Sequence, residues 1–234
     1  NSSLMKATYE YAAAINWGKR KYECFDAFAK VADIFTLCDG ANSCKSSGKL
    51  ATELAHLFSE KASFLDSETI DREHAISRIV MDIHETYTLK KNPGASTLLS
   101  LSILKDSYEM VSIGDSYGKV FMHKLDGGWE ETCSIPRDID YKGYPWQLIG
   151  SDVFELIHYH RFNRDQMACV FLMSDGVGDF IKNSDITRLL NKNILEKFDQ
   201  TNLQDIVYSL LNISEDRGSK DDKSICLVFI EKNE

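Results

Sequence analysis

Short apolar runs separated by polar turns make up most of this chain. Several segments contain the alternating or continuous apolar positions that are typical of strands. They are residues 7–16, 27–38, 97–104, 108–113, 119–125, 167–173 and 224–230. A further hairpin is predicted to close at Asp126-Gly127-Gly128. The polar, irregular stretch 129–146 indicates an excursion from the sheets.

Other segments show the periodicity of amphipathic helices. Helices are predicted over 47–64, over 186–198, over 203–211, and after a cap at Asp66 or Ser67. The helix after this cap has an apolar stripe formed by Ile70, Ile76, Ile79, Val80 and Ile83. The chain thus begins with strands and continues with a helix pair, a strand meander, a second helix pair and a closing strand. This order indicates an α+β fold in which helices cover antiparallel sheets. We expect one domain over residues 1–234.

Composition and charge narrow the classes of function. Hydrophobic residues make up 43% of the 234 positions and charged residues 27%, an ordinary globular balance that allows one sizeable core. The formal net charge of −9 argues against nucleic acid as a partner, because an acidic surface repels phosphate backbones. The same acidity is also what a cluster of carboxylates awaiting cations would produce.

The chain shows no sign of a membrane or secreted protein. No apolar run approaches the roughly twenty residues that a transmembrane helix needs. Residues 1–10 lack the charged-then-apolar layout of a secretory signal. The six cysteines form no CxxC pair, and a chain of this length does not need cross-links, so reduced thiols are expected. We predict a cytoplasmic protein that does not bind membranes.

Aspartates at the ends of apolar runs are the candidate chemistry. Asp39 and Asp175 each end a buried run, and each is followed by a glycine that lets the backbone come close to a ligand. A tight turn is the ordinary interpretation of Asp-Gly, and it fits Asp126. At the end of a core strand, however, a carboxylate is desolvated and needs a cation or hydrogen-bond donors.

Two further aspartates are placed similarly. Asp221, followed by Asp222, precedes the last apolar strand, and Asp26 lies at the near end of the strand before Asp39. Mg²⁺ and Mn²⁺ prefer carboxylate and water oxygens, so a few aspartates from separate strand ends are sufficient for a two-metal site. Such a site activates water and clamps a phosphoryl group during in-line displacement.

Six short motifs follow one another along the chain, and most of them border predicted strands. They are Lys21–Asp26 (a basic residue five positions before aspartate), Cys38-Asp39-Gly40, Gly94-Ala95-Ser96-Thr97, Gly114-Asp115-Ser116, Ser174-Asp175-Gly176-Val177-Gly178-Asp179 and Asp221-Asp222-Lys223-Ser224. Each motif alone is a weak signal. In this order they resemble the type 2C family of metal-dependent Ser/Thr protein phosphatases, especially its shorter bacterial forms, from about residue 17 to residue 229.

The resemblance implies a fold and a metal site. The fold would be a four-layer α/β/β/α sandwich, with two antiparallel sheets packed face to face and flanked by helix pairs. Asp115 with Asp175 would hold the third ion that several bacterial members carry. The implied ligands of two Mn²⁺ or Mg²⁺ ions are Asp39, the carbonyl of Gly40, Asp175, Asp221 and, directly or through water, Asp26.

The resemblance also implies an activity. A hydroxide bridging the two ions would attack phosphoserine or phosphothreonine on a protein substrate, and a cognate Ser/Thr kinase is an implied partner. Lys21, with Arg20 beside it, stands at the position of the family's phosphate-binding arginine and offers a point charge in place of a bidentate fork. A solvated basic loop is the other interpretation of these two residues. Asp222 replaces an asparagine, and its charge would attract cations and repel a phosphate.

Other departures from the family motivate alternative functions. Phe25 stands where the family often has glutamate, and Glu23 could replace that glutamate only from a greater distance. Ala41 stands where many eukaryotic members have histidine. The alternative is a pseudophosphatase that acts as a protein-binding regulatory module. A metal-free signalling or scaffold domain is a third hypothesis, but it would leave the carboxylates mutually repulsive.

The stretch 129–166 occupies the position of the family's variable flap. It contains Trp129, Tyr141, Tyr144 and Trp146, and is therefore our candidate for substrate contact. His158 and His160 lie on one face of a predicted strand within it. We expect them to be exposed strand residues, because no third metal ligand is apparent near them.

Overall fold

Two antiparallel sheets form the centre of the protein. A computed structural model describes residues 9–18, 23–66, 69–90, 94–192 and 199–234. The first sheet has the strand order β1 (Tyr9–Asn16), β10 (Lys223–Ile230), β9 (Ala168–Met173), β6 (Tyr117–His123) and β7 (Trp129–Ser134). The second sheet has the order β2 (Asp26–Val31), β3 (Ile34–Asp39), β4 (Leu98–Ile103), β5 (Ser107–Ile113) and β8 (His158–Asn163).

Helices cover the outer face of each sheet. The second sheet is covered by α1 (Ser47–Ser63) and α2 (Arg72–Thr88). On the first sheet lie the short α3 (Asp175–Gly178), α4 (Asn183–Lys192) and α5 (Gln200–Asp216). The predicted α+β class and the four-layer α/β/β/α sandwich are confirmed. The expectation of one domain over residues 1–234 stays a prediction.

The continuous apolar runs are explained by strands that are buried on both faces. In β10, Ile225 and Leu227 pack against the helices of the first sheet, whereas Cys226 and Val228 point into the core between the two sheets. A strand in this position needs apolar residues at successive positions, because neither face meets water. The continuous apolar runs therefore supply side chains both to the core between the two sheets and to the cores between each sheet and its helices.

The structure corrects the prediction for the beginning of the stretch 129–146. Trp129–Ser134 is the edge strand β7, paired with β6, and not an excursion. Its side chains alternate between the core, where Trp129 is buried, and solvent, where Glu130 and Thr132 are exposed. Because an edge strand with one solvated face carries many polar residues, its composition resembled that of a loop.

Smaller differences concern the C-terminal helices and the cysteines. The predicted helix 186–198 begins earlier, at Asn183, and its residues 193–198 lie outside the described part of the chain. All six cysteines are free, as expected, and Cys38, Cys169 and Cys226 are buried. Within the described residues, no helix combines the length and the apolar character that crossing a bilayer requires.

A buried ion pair attaches α2 to the second sheet. Nε and Nη2 of Arg72 donate to the Glu109 carboxylate on β5 at 2.7–3.1 Å, and both side chains are almost completely buried. The Tyr159 hydroxyl also donates to Glu109, and Nη1 of Arg72 donates to the carbonyl of Asp66. Removing one partner of such a pair leaves the other charged and desolvated.

Glu109→Ala should therefore destabilise the protein strongly. The uncompensated Arg72 guanidinium is expected to cost about 3–5 kcal/mol of unfolding free energy. This corresponds to a fall in melting temperature of roughly 10 °C for a chain of this size. Urea denaturation with Glu130→Ala as the control, an exposed glutamate on β7, measures the difference; equal losses in the two variants would contradict the prediction.

Candidate metal centre

Two of the predicted aspartates face each other across a β-ladder. Asp26 begins β2 and Asp39 ends β3, and the two are direct partners in the antiparallel register. The backbone around Asp39 is held by Thr97, whose hydroxyl accepts from the Asp39 amide at 2.9 Å and whose amide donates to the Asp39 carbonyl at 3.0 Å. The hairpin thus brings two carboxylates to the same end of the second sheet.

The first sheet contributes three more aspartates at the same end. Met173, the last residue of β9, pairs with the beginnings of β6 and β10 on its two sides. Asp115 precedes β6, Asp221 precedes β10, and Asp175 follows β9 as the first residue of α3. Antiparallel pairing therefore brings together side chains that are far apart along the chain.

Three of these aspartates form the tightest cluster. Carboxylate oxygens of Asp39, Asp115 and Asp175 lie within 4.8 Å of one another. Asp221 and Gly40 line the same cavity, which has a volume of about 500 Å³. Asp26 does not line this cavity; it lies behind Asp39, only 7% exposed, where Oδ2 accepts from the Ser224 hydroxyl at 2.7 Å.

Burial and mutual repulsion make the full ionisation of this cluster unfavourable. Burial raises the pKa of Asp26 to about 6. Burial, followed by the charge of Asp175, raises the pKa of Asp115 to about 7. Burial also raises the pKa of Asp175, and it raises the pKa of Asp39 well above its usual range, with the charges of Asp26 and Asp175 adding to the effect. The group is thus arranged to take up positive charge.

The residues present fit a divalent cation. Oδ1 of Asp26 and Oδ1 of Asp175 are buried and have no hydrogen-bond partner among the residues that the structure describes. A carboxylate oxygen in that position is costly unless an ion compensates it. The cluster offers oxygen atoms alone, which is the ligand set that Mg²⁺ and Mn²⁺ prefer.

Asp222 has a structural role that the sequence did not indicate. It is 1% exposed, and its oxygens accept from the backbone amides of Gly18 at 2.7 Å and Phe25 at 2.9 Å. The carboxylate is therefore bound to the segment before Asp26 and does not line the cavity. The two amides bind different oxygens of the carboxylate, and asparagine would present an NH2 donor in place of one of these acceptors.

The structure places Phe25, Glu23 and Ala41, three further residues that the comparison with the family pattern singled out. The ring of Phe25 is buried against Gly48, so Phe25 is a core residue, whereas Glu23 is exposed and does not line the cavity. Ala41 lines the cavity. The predicted phosphate-binding residues Lys21 and Arg20 lie outside the described residues.

The histidine prediction is wrong for His158. Its side chain is mostly buried, and its Nε2 lies 2.6 Å from Oδ1 of Asp138. Asp138 and its neighbour Arg137 contact the turn that carries Asp115, and sequence reasoning missed both of them. They lie in the stretch interpreted as an excursion, and no spacing in the sequence points from them to Asp115.

Comparisons with known proteins agree with this architecture. A family model described as Protein phosphatase 2C matches residues 19–220. The structure of the S. agalactiae serine/threonine phosphatase has a TM-score of 0.77 at 14% identity, covering 95% of this chain and 100% of that chain. The serine/threonine phosphatase PstP/Ppp of Mycobacterium tuberculosis has a TM-score of 0.70 at 16% identity, covering 95% and 99%.

A further solved structure is that of the PstP catalytic domain in complex with two manganese ions, with a TM-score of 0.66 at 16% identity and the same coverage, 95% and 99%. No curated protein matches the sequence significantly. At these identities the solved structures establish the fold, and the family assignment rests on the family model. Since that model spans most of the sequence, the chain belongs to the protein phosphatase 2C family.

Proposed function

We propose that this protein is a metal-dependent protein phosphatase that hydrolyses phosphoserine and phosphothreonine on protein substrates. The observation that carries the proposal is the cluster of Asp39, Asp115 and Asp175 in a cavity of about 500 Å³, within a chain of the protein phosphatase 2C family. Such a cavity accommodates a phosphorylated side chain, and its carboxylates would repel that side chain unless cations were bound.

The aspartates are proposed to hold the ions in the way that the resemblance implies. Asp115 and Asp175 would share a third ion. When bound, the ions would supply a bridging hydroxide as nucleophile and would stabilise the charge that develops on the phosphoryl group. The proposed ligands of a pair of Mn²⁺ or Mg²⁺ ions are Asp39, the Gly40 carbonyl, Asp175, Asp221 and, directly or through water, Asp26.

Residues around the carboxylates keep them oriented. The Ser224 hydroxyl binds Oδ2 of Asp26 and leaves Oδ1 of that carboxylate available. The Thr97 hydroxyl and amide hold the backbone of Asp39. Hydrogen bonds of this kind are the partners that fix metal ligands, and their loss typically lowers metal affinity or activity about 10–100-fold.

The rim of the cavity is proposed to receive the protein substrate. Tyr144 and Pro145, from the segment after β7, line the cavity together with Asn42 and Ser43, and Tyr144 is largely exposed. An exposed aromatic residue beside a charged site can pack on the peptide that carries the phosphate. A cognate Ser/Thr kinase is the proposed source of that phosphate.

Hydrolysis by this protein should depend on Mn²⁺ and on the central aspartates. With Mn²⁺, the protein should hydrolyse p-nitrophenyl phosphate and a phosphothreonine peptide, and chelation should abolish turnover. Asp39→Asn and Asp175→Asn should each lower turnover about 100-fold or more, since even the partners of metal ligands contribute about 10–100-fold. Asp126→Asn, which changes the Asp-Gly pair of an exposed turn, is the matched control and should have no effect.

Two outcomes would contradict this function. Turnover without metal, or turnover that the Asp39 and Asp175 substitutions leave unchanged, would exclude a phosphatase that uses this site. Tight Mn²⁺ binding without hydrolysis of either substrate would instead favour the pseudophosphatase, in which the fold serves as a protein-binding module.

The stability of the metal-free protein should fall as the pH rises. The folded-state pKa values of Asp26 and Asp115, about 6 and about 7, exceed the ordinary value of 3.8. The folded state therefore binds more protons than the unfolded state, and the stability that these groups provide is present at low pH and is lost as the pH rises through 6 and 7. The expected slope is a loss of about 1.4 kcal/mol per pH unit for each proton.

Thermal unfolding in EDTA between pH 5.5 and 8 measures this effect. The melting temperature should fall with pH, and saturating Mn²⁺ should remove most of the fall because the ion replaces the protons. Metal-free Asp115→Asn should show a shallower slope and a higher melting temperature at pH 8 than the unchanged protein. A metal-free melting temperature that rises over this range would refute the assigned pKa directions.

A further inference from the structure

Asp115 lies in a turn and is fixed by contacts from outside the sheets. It follows Gly114, whose backbone has a φ of +99°, between the end of β5 and the start of β6. A Cβ atom at Gly114 would lie 2.7 Å from the Thr97 side chain, so this close approach also requires glycine. Asp115 is nevertheless 7% exposed and one of the three clustered carboxylates, so its position must be held by other residues.

Arg137 and Asp138 form hydrogen bonds with the Gly114–Asp115 segment. The Asp138 amide donates to the Gly114 carbonyl at 2.9 Å, and the Gly114 amide donates to Oδ2 of Asp138 at 2.7 Å. Nε of Arg137 donates to the Asp115 carbonyl at 2.8 Å. These contacts fix the peptide groups on either side of the Asp115 Cα atom and thereby restrict the position of its side chain.

The Arg137 guanidinium also reaches the helix that carries Asp175. It stacks on the Tyr117 ring, with its central carbon 3.7 Å from the ring centroid, and Nη2 lies 3.5 Å from Oδ1 of Asp179. The Tyr117 hydroxyl donates to the same Asp179 oxygen at 2.6 Å. Asp179 caps the C-terminal end of α3, the helix whose first residue is Asp175.

Arg137 therefore contacts the backbone of Asp115 and also the side chain of Asp179, at the end of the helix that begins with Asp175. The carboxylates of Asp115 and Asp175 repel each other, and a guanidinium at this place offsets part of the repulsion while leaving the carboxylate oxygens facing the cavity. Its side chain is only 18% exposed, so solvent screens its charge less than that of a surface arginine. Lysine could supply the charge, but it lacks the planar face that stacks on Tyr117 and has a single nitrogen in place of the separate Nε and Nη2 donors.

We propose that Arg137 is a positioning residue that sets the separation of Asp115 and Asp175 and thereby the affinity of the cation site that these two aspartates share. The inference rests on the proposed function for the existence of that cation site. Arg137 does not line the cavity, so its action passes through Asp115 and through Asp179 on α3.

Mn²⁺ binding to the full chain tests the proposal without relying on turnover. Isothermal titration and electron paramagnetic resonance would count the Mn²⁺ sites and give the affinity of each class. Arg137→Ala should weaken one class of sites about 10–100-fold and leave the others unchanged. Arg137→Lys, which keeps a charge and a similar length, should recover only part of this loss.

A double-substitution cycle identifies the class affected. Asp115→Asn should abolish the same class of sites, and Arg137→Ala should have no further effect on Mn²⁺ binding in that background. Arg161→Ala is the matched control, because the Arg161 side chain binds the Ser107 hydroxyl at the start of β5, at the opposite end of that strand from Asp115. This control should leave every class of Mn²⁺ sites unchanged.

The outcomes separate this inference from the proposed function. If the unchanged protein binds Mn²⁺ but Arg137→Ala leaves its binding as it was, weakens every class equally, or adds to the effect of Asp115→Asn, the positioning role is overturned while the phosphatase proposal stands. If the unchanged protein binds no Mn²⁺, both are overturned. Thermal unfolding in EDTA would show whether the substitution acts only by lowering stability.

Discussion

Repulsion among buried carboxylates governs the arrangement of one end of this sandwich. Asp39, Asp115 and Asp175 hold oxygens within 4.8 Å of one another, and burial raises the pKa of each of them. Carboxylates this close can share protons or bind cations, but they cannot all stay ionised without compensation. The surrounding contacts must therefore hold the aspartates together against their own charge, and much of the local structure consists of such contacts.

Rigid strands provide most of this restraint. Asp26 and Asp39 are register partners at the end of a hairpin, and the pairing of Met173 with two neighbouring strands aligns the residues around it. A site built at the ends of well-packed strands keeps its geometry better than one built on loops. Asp115 is the exception, since it stands in a turn, and Arg137 and its neighbour supply the restraint that a strand would otherwise give.

Phe25 and Asp222 are departures from the family pattern that lie close to the carboxylates, and the structure gives both a physical role. Phe25 is a buried residue that packs on Gly48, and its amide is bound by Asp222. Asp222 thereby stabilises the backbone just before Asp26. The Asp222 contacts are hydrogen bonds to backbone amides, so they hold this segment whatever side chains it carries.

Strand-end aspartates and buried strands could be predicted from the sequence, because their signals are local: an apolar run of several residues, then Asp-Gly at Asp39 and Asp175. The edge strand that begins at Trp129 could not, since one solvated face gives it the composition of a loop. The distances between the aspartate side chains could not be predicted from the sequence either. The residues that end buried strands were evident from the sequence, and the resemblance already paired Asp115 with Asp175. The folded chain was needed to show that their oxygens lie within 4.8 Å of those of Asp39 and that Arg137 holds the turn of Asp115. The reason is physical: those contacts exist only after β6 pairs with β9 and the segment after β7 folds back onto the turn.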